Sequence, residues 1–203
     1  MKIVAIVQAR MGSTRLPNKV MKEIGGKPMI ELLLQRLSRA KRIDEIVLAT
    51  SDNENNIPLI EFVSSLGSRV FTGSENDVLE RYVKASDESA ADVVVRITGD
   101  CPLVDPGLVD EVIEGFIDSG SQYFSNIDPA TYPDGLDIEV FHASALRKAY
   151  AALEGWECQH VTLRTAGLGV LHGRYAVCVS LHCGRKPSLS QPLRNSPAHV
   201  RKQ

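Results

Sequence analysis

Acidic residues are missing from the last 46 positions of the chain, because Glu157 is the final one. That segment holds seven basic residues, whereas the first 157 residues carry 25 acidic and 16 basic groups, a net charge of −9. An even distribution would place roughly six acids in the segment, so their absence is unusual for a globular protein. We therefore predict a compositional boundary, with one domain over residues 1–160 and an atypical basic tail over residues 161–203.

Other scarce features exclude whole classes of protein. No apolar run reaches the ~18 residues of a membrane span, and no signal-peptide core follows Met1, so we expect a cytoplasmic protein without a membrane partner. The four cysteines lack CxxC spacing, which argues against a structural metal site and indicates free thiols in a reducing compartment. Neither GxxxxGK[ST] nor GxGxxG is present, which excludes the P-loop and the dinucleotide fingerprint.

Strand-like and helix-like segments alternate along the first domain. The apolar run Lys2–Gln8 is typical of a strand buried on both faces, and Asp105-Pro106 is a helix start. The alternation predicts a three-layer α/β fold, a mostly parallel sheet with helices on both faces, whose ligand lies beyond the carboxyl ends of the strands. The expected strands are Lys2–Gln8, Glu45–Thr50, Arg69–Phe71, Asp92–Ile97, Gln122–Ser125 and Asp137–Phe141. The expected helices begin near Met29, Asp52 and Asp105 or span Glu75–Ser89 and Ala143–Leu153.

The loop after the first strand, QARMGSTRLPNK over residues 8–19, concentrates positive charge. Its three cations are Arg10, Arg15 and Lys19, and the backbone N–H groups of residues 12–14 add further donors. Such a set of donors suits a polyphosphate. The alternative is a solvated surface loop whose cations make weak ion pairs.

A second cluster, RITGDCPLVDP over residues 96–106, follows a buried strand on the same predicted edge of the sheet. A carboxylate at Asp100 is suited to hold Mg²⁺, which bridges phosphate oxygens. The alternative is that Asp100 is a turn residue after Gly99, as is common for Gly-Asp pairs. The two clusters together favour a metal–phosphate site. Should another carboxylate complete the metal site, Asp137 is the best candidate.

Six ordered motifs between Met1 and about His160 resemble the cytidylyltransferase-like nucleotidyltransferases, and in particular the SpsF group of spore-coat polysaccharide biosynthesis proteins. That group is related to acylneuraminate and 3-deoxy-manno-octulosonate cytidylyltransferases. The resemblance implies a nucleotide-diphospho-sugar transferase-like fold. The motifs are QARMGSTRLPNK with IGGKPMIELLLQRL, VLATSDN, FTGSENDVLERY, RITGDCPLVDP and PDGLDIEVF.

The resemblance also implies a reaction: a hydroxyl group of a sugar or sugar acid attacks the α-phosphate of CTP, and pyrophosphate leaves. It implies catalytic roles for Arg15, Lys19 and Asp100, with Mg²⁺ on Asp100 and Asp137. The implied nucleotide-binding residues are Gln8, Ala9, Arg10, Gly12, Ser13, Thr14, Ser74, Asp77 and Arg81. The residues implied to approach the sugar are Asp134, Asp137 and Glu139. The implied partners are CTP, the acceptor and a second copy in a homodimer, without nucleic acid.

Simpler explanations stand beside several of these assignments. Ser74 is also suited to cap a helix that exposes one face, and the alternation around Asp137 and Glu139 is also typical of a sheet with one wet face.

The chain departs from the family after His160. The family has a late acidic segment that supplies another metal-binding carboxylate, and the acid-free tail cannot provide one. Its composition resembles translation in a shifted frame or a divergent end; residues 173–181 suit one strand, and residues 187–203 are predicted to be disordered. Two alternatives to an active cytidylyltransferase remain: a nucleotide-binding but catalytically impaired module, which the acid-free tail favours, and a glycosyltransferase that uses a nucleotide sugar on a similar sheet. The second usually needs a DxD motif, which is absent.

Overall fold

A computed structural model describes residues 1–12, 16–127 and 130–152 with their side chains, and residues 156–166 and 176–185 as backbone. Ten strands and five α-helices are present in these ranges. The strands are β1 (Ile3–Gln8), β2 (Glu23–Ile24), β3 (Lys27–Pro28), β4 (Glu45–Ser51), β5 (Arg69–Gly73), β6 (Val93–Thr98), β7 (Tyr123–Ser125), β8 (Glu139–His142), β9 (Trp156–Ala166) and β10 (Ala176–Arg185). The helices are α1 (Met29–Leu37), α2 (Ile57–Ser65), α3 (Val78–Glu88), α4 (Pro106–Ser119) and α5 (Ala143–Ala152).

Six of the strands form one sheet in the order β5-β4-β1-β6-β8-β7. β1 pairs in parallel with β4 and with β6, and β4 pairs in parallel with β5. β8 runs antiparallel to both β6 and β7. Along the chain, β4 and β5 are added on one side of β1, and β6 is then added on its other side. Sheets of this type bind ligands at such a reversal of strand order.

Helices cover both faces of the sheet, as the sequence predicts. One core cluster packs α1, α2 and α4 on the sheet, and the other packs α3 and α5 on its opposite face. The central strands supply both clusters because their side chains alternate between the faces: Ala5 and Val7 belong to the first cluster, and Val4 and Ile6 to the second. The predicted mostly parallel three-layer architecture is confirmed.

The start of α3 differs from the prediction. The helix begins at Val78 rather than at Glu75, and its N-cap is Asp77, whose side chain accepts a hydrogen bond from the Glu80 N–H at 3.0 Å. The hydroxyl of Ser74 accepts from the Asp77 N–H at 3.0 Å instead. Residues 74–77 are therefore a loop that precedes the helix.

The predicted boundary at residue 160 falls inside a strand, because β9 extends from Trp156 to Ala166 and pairs antiparallel with β10. The strand expected within residues 173–181 is present as β10. The backbone of β9 lies beside α3, and that of β10 beside α5. Residues 187–203, which were predicted to be disordered, lie outside the described part of the chain.

Among the helices described, none has both the length and the apolar character that crossing a bilayer demands.

Candidate active site

The loops that follow β1 and β6 touch each other through their backbones. The Gly99 N–H donates to the Gln8 carbonyl oxygen at 2.8 Å. A Cβ atom on Gly99 would lie 2.5 Å from the Cβ of Ala9 and 2.8 Å from the Gln8 oxygen. Such distances are far inside van der Waals contact, so glycine is required for this approach. The predicted phosphate loop and the predicted metal-binding loop therefore start side by side.

Lys19 and Asp100 form an ion pair across these two loops. The ammonium group of Lys19 donates to Asp100 Oδ2 at 3.0 Å, and both side chains are partly exposed. Burial acts to raise the pKa of Asp100, but the hydrogen bond and charge of Lys19 outweigh it and lower that pKa below its ordinary value. Asp100 is consequently ionised at neutral pH, which is the form that binds a cation.

A cleft of about 730 Å³ opens beside this ion pair. Asp134 and Asp137 line it together with Lys19 and Asp100, and Leu103 adds an apolar wall. The acids of the 134–137 loop reach this edge because β8 is antiparallel, so its amino end lies beside the carboxyl ends of its neighbours. The predicted metal-binding and sugar-binding carboxylates, Glu139 excepted, therefore share one cavity.

The acids of the cleft interact electrostatically. Burial raises the pKa of Asp137, and the charges of Asp134 and Asp100 raise it further, whereas Arg96 lowers it. Repulsion of this kind is relieved when a cation binds between carboxylates. Within the described ranges no group of three or more His, Cys, Asp or Glu side chains is placed to hold a metal ion. The donor set fits a hard cation such as Mg²⁺, which is bound through one or two carboxylates and keeps other positions for water and phosphate.

Arg10 is fixed by a carboxylate from a distant part of the sequence. Its guanidinium donates through Nη1 to Glu75 Oε1 at 3.0 Å. The other Glu75 oxygen accepts a hydrogen bond from the hydroxyl of Ser51, at the end of β4. Arg10 thus lies at the same edge of the sheet as Lys19.

Asn56 anchors the backbone at the start of the loop. Its Oδ1 accepts from the Met11 N–H at 2.9 Å, and its Nδ2 donates to the Ser51 hydroxyl at 2.6 Å. Asn56 is 2% exposed and Ser51 is fully buried. Sequence reasoning missed both residues, as well as Glu75, because each is an ordinary polar residue whose partner is remote in sequence.

Ser74, Asp77 and Arg81 come together where the loop after β5 meets the start of α3. The Arg81 guanidinium donates to the Ser74 carbonyl oxygen at 2.6 Å, and burial lowers the pKa of Arg81. Asp77 and Arg81 are each 1% exposed. The alternative in which Ser74 caps a helix with an exposed face is wrong, because Asp77 is the cap and this face is buried. The trio holds the loop between β5 and α3, next to Glu75.

Glu139 belongs to the core rather than to the cleft. It is 1% exposed, pairs with the Arg96 guanidinium and accepts a weak hydrogen bond from the Tyr123 hydroxyl at 3.3 Å. Burial raises the pKa of Glu139, while Arg96 acts to lower it. The predicted approach of Glu139 to the sugar is therefore not seen in the cleft, whose described wall on this side is residues 133–137.

The middle of the phosphate loop is not described. Ser13, Thr14 and Arg15, which were predicted to bind the nucleotide, lie outside the described residues. Gly12 precedes them, and a Cβ built there has no atom within 4 Å. The described flanks, Arg10 and Lys19, place positive charge on both sides of this segment. Chemically, the arrangement can bind a polyphosphate and a hard cation next to an acid-lined cleft for an acceptor.

Comparison with known proteins agrees with this arrangement. The family model described as cytidylyltransferase matches residues 4–152. The spore coat polysaccharide biosynthesis protein SpsF of Bacillus subtilis (strain 168) is 40% identical over 167 residues, covering 79% of this chain and 68% of that protein. The 3-deoxy-manno-octulosonate cytidylyltransferase of Geobacter sulfurreducens is 35% identical over 115 residues, covering 56% of this chain but 44% of that enzyme.

A solved structure shows the same fold. It is that of a cytidylyltransferase from Leptospira borgpetersenii, with a TM-score of 0.71 and 35% identity, covering 74% of this chain and 64% of that one. The match therefore spans less than half of the Geobacter sulfurreducens enzyme. It spans about two thirds of SpsF and of the Leptospira borgpetersenii protein. The family match, over residues 4–152, spans the strands and helices of the six-stranded sheet apart from Ile3, and the residues that line the cleft.

Proposed function

The chain belongs to the cytidylyltransferase family, and for that reason we propose that it transfers CMP from CTP to a hydroxyl group of a sugar or sugar acid in polysaccharide biosynthesis. The observation that carries the proposal is the ion pair between Lys19 and Asp100 at the mouth of the cleft, with 3.0 Å between its charged atoms. A cation for phosphate and a carboxylate for a metal meet there, at the reversal of strand order between β1 and β6.

In the proposed reaction the acceptor hydroxyl group loses its proton to water and its oxygen attacks the α-phosphorus of CTP, while the bond from that phosphorus to the oxygen bridging the β-phosphate breaks. Pyrophosphate leaves with the electron pair of that bond, so negative charge accumulates on it. Lys19 and Arg10 stabilise this charge from the two ends of the loop, an electrostatic effect that is strongest in a partly desolvated site. Arg15 would add a third cation, as the resemblance implies.

Asp100 and Asp137 would hold Mg²⁺ in this scheme, and Mg²⁺ supplies positive charge that neutralises the phosphate oxygens. Lys19 must break its ion pair with Asp100 in order to bind phosphate. Lys19 then pairs with phosphate, and Asp100 pairs with Mg²⁺. Asp134, which is exposed at the rim of the cleft, is placed to accept hydrogen bonds from acceptor hydroxyl groups. The loop that contains Ser74 and Asp77 would receive the nucleoside.

The deciding experiment is to measure pyrophosphate release with each nucleoside triphosphate and a panel of sugars, sugar phosphates and sugar acids, with and without Mg²⁺. We expect release that depends on CTP, on an acceptor and on Mg²⁺. Tight Mg²⁺–CTP binding without release by any acceptor would contradict transfer and support the impaired-module alternative. Release of a free nucleoside diphosphate from a nucleotide sugar would support the glycosyltransferase alternative.

A further inference from the structure

Glu75 links three segments at the edge of the sheet. One carboxylate oxygen accepts from the Arg10 guanidinium at 3.0 Å, and the other accepts from the buried Ser51 hydroxyl. Glu75 itself lies in the loop between β5 and α3. The start of the phosphate loop, the end of β4 and the proposed nucleoside loop are therefore joined through this side chain.

The Glu75 carboxylate is held more firmly than that of an ordinary surface ion pair. Exposed pairs contribute little because two long side chains must be ordered together. Here Ser51 is fully buried, and its hydroxyl also accepts from Asn56 Nδ2 at 2.6 Å. Because this support belongs to the buried scaffold, Glu75 offers Arg10 a fixed partner.

The geometry leaves Arg10 able to bind an anion. A guanidinium group carries five N–H donors, and the described contact with Glu75 engages one of the two on Nη1. The Arg10 side chain is 49% exposed, so an anion from solvent has access to it. An arginine whose orientation is set in advance loses less conformational entropy when it binds phosphate.

The same scaffold also fixes the loop backbone. Asn56 Oδ1 accepts from the Met11 N–H at 2.9 Å, and the Met11 carbonyl oxygen accepts from the Asn18 N–H at 3.2 Å. The side chain of Arg10 and the backbone of Met11 are thus oriented by one hydrogen-bonded chain through Ser51.

We propose that Glu75 is a positioning residue for the triphosphate: it orients Arg10 from the nucleoside loop and does not itself contact phosphate. This inference rests on the proposed function only in that the loop binds a triphosphate. The opposite role is that of a competitor, in which the Glu75 carboxylate and phosphate compete for the Arg10 guanidinium. The two roles predict opposite changes in affinity when the Glu75 charge is removed.

The test is a double-mutant cycle on triphosphate affinity, with calorimetric titration of inorganic tripolyphosphate and of CTP. Glu75→Gln keeps an oxygen for the Ser51 hydroxyl but removes the charge that pairs with Arg10. We expect this variant to weaken binding of both probes by roughly three- to tenfold, as is usual when one long side chain must be ordered on binding. In an Arg10→Ala background the same substitution should cause no further loss.

The matched control is Glu114→Gln, which removes the partner of Arg42 in an exposed ion pair at 2.7 Å. It should leave both affinities unchanged, and thermal unfolding of each variant separates misfolding from loss of orientation.

An equal loss of affinity on Glu75→Gln substitution with and without Arg10 would overturn the proposal. Tighter binding of the probes by Glu75→Gln would also overturn it and would show that Glu75 is a competitor. If the unsubstituted chain binds tripolyphosphate but transfers no CMP, the proposed function fails while the cycle still decides the role of Glu75. If it binds neither probe, both fail.

Discussion

The Lys19 ammonium group and the Asp100 carboxylate neutralise each other across 3.0 Å, although 81 residues separate them in sequence. Each is assigned a different ligand in the proposed reaction, the triphosphate for Lys19 and Mg²⁺ for Asp100. Neither ligand alone satisfies both side chains, because removing one partner leaves the other unpaired. We therefore expect Mg²⁺ and CTP to bind more tightly together than separately.

Replacing Lys19 by Met should weaken Mg²⁺–CTP binding by about 1.5–3 kcal/mol, the usual contribution of a hydrogen bond to a charged group. The measurement is calorimetric titration with CTP at saturating Mg²⁺. Lys27→Met is a suitable control, since Lys27 pairs with Glu31 on the surface of α1. Equal affinity in the Lys19 variant and the parent would remove Lys19 from the triphosphate site.

Asp100→Asn should leave the fold intact and reduce the Mg²⁺ dependence of nucleotide binding. The residue is partly exposed after β6, and loss of its ion pair costs no more than about 1 kcal/mol of stability. Circular dichroism and CTP titrations with and without Mg²⁺ check both statements, with the exposed Asp118→Asn as control. An unchanged response to Mg²⁺ would make Asp100 a turn residue only.

Gly99→Ala should destabilise the protein by roughly 1–3 kcal/mol, the usual cost of overpacking. Its new Cβ would overlap Ala9 Cβ at 2.5 Å and the Gln8 carbonyl oxygen at 2.8 Å, so the two loops must separate. Gly12→Ala is the stability control, with no atom within 4 Å of its Cβ and an expected change within about 0.5 kcal/mol. Urea unfolding compares the pair, and equal midpoints would refute the close approach.

Glu139→Ala should cost roughly 3 kcal/mol of unfolding free energy, because it removes the carboxylate partner of Arg96, whose side chain is only 16% exposed. Replacing both residues by apolar ones, as in Arg96→Met with Glu139→Leu, should recover much of that loss. Chemical denaturation measures both. A stable Glu139→Ala variant with a raised KM for the acceptor would instead restore Glu139 to the substrate site.

The Glu45 carboxylate should make part of the stability depend on pH. The hydrogen bond from Lys2 lowers the pKa of Glu45 against the opposing effect of burial, and Arg69 lowers it further. Because the pKa of Glu45 is lower in the folded than in the unfolded state, the ionised carboxylate stabilises the fold fully above the ordinary pKa near 4.5. That contribution is lost as the pH falls through the lower pKa of the folded state. Glu45→Gln should flatten the stability profile there by up to about 1 kcal/mol. Identical profiles for variant and parent, measured by urea unfolding from pH 6 to pH 3, would contradict the assignment.

The sheet and its helices were predictable because their signals are local. Continuous apolar runs such as Ile3–Gln8 predict strands buried on both faces, and Asp105 before Pro106 predicts the start of α4, where Asp105 Oδ1 accepts from the Leu108 N–H at 2.9 Å. The start of α3 was misplaced because Ser74 and Asp77 are both good capping residues. The structure separates the two, because Asp77 accepts from the Glu80 N–H as the cap of α3, whereas Ser74 accepts from the Asp77 N–H.

The edge of the sheet that holds the site was predictable from charged residues that follow strand ends, whereas the partner of each polar side chain was not. Lys19 and Asp100 follow strands on one edge, so their place at that edge was expected, but their ion pair was not. Glu75 and Arg10 are 65 residues apart and carry no spacing signal. Asp137 and Glu139 are separated by one residue, yet the first precedes β8 and faces the cleft while the second lies within the strand and enters the core.

The reversed direction of β8 has a consequence for how this fold can diversify. In the proposed scheme the residues that contact the triphosphate and the metal follow β1 and β6. The acceptor carboxylates Asp134 and Asp137 instead precede β8, which pairs with β6 on the side away from β1. The connection between β7 and β8 can therefore change length or composition without altering the register of the parallel strands. Grafting this connection from a relative of different acceptor preference would exchange the acceptor while CTP recognition stays in place.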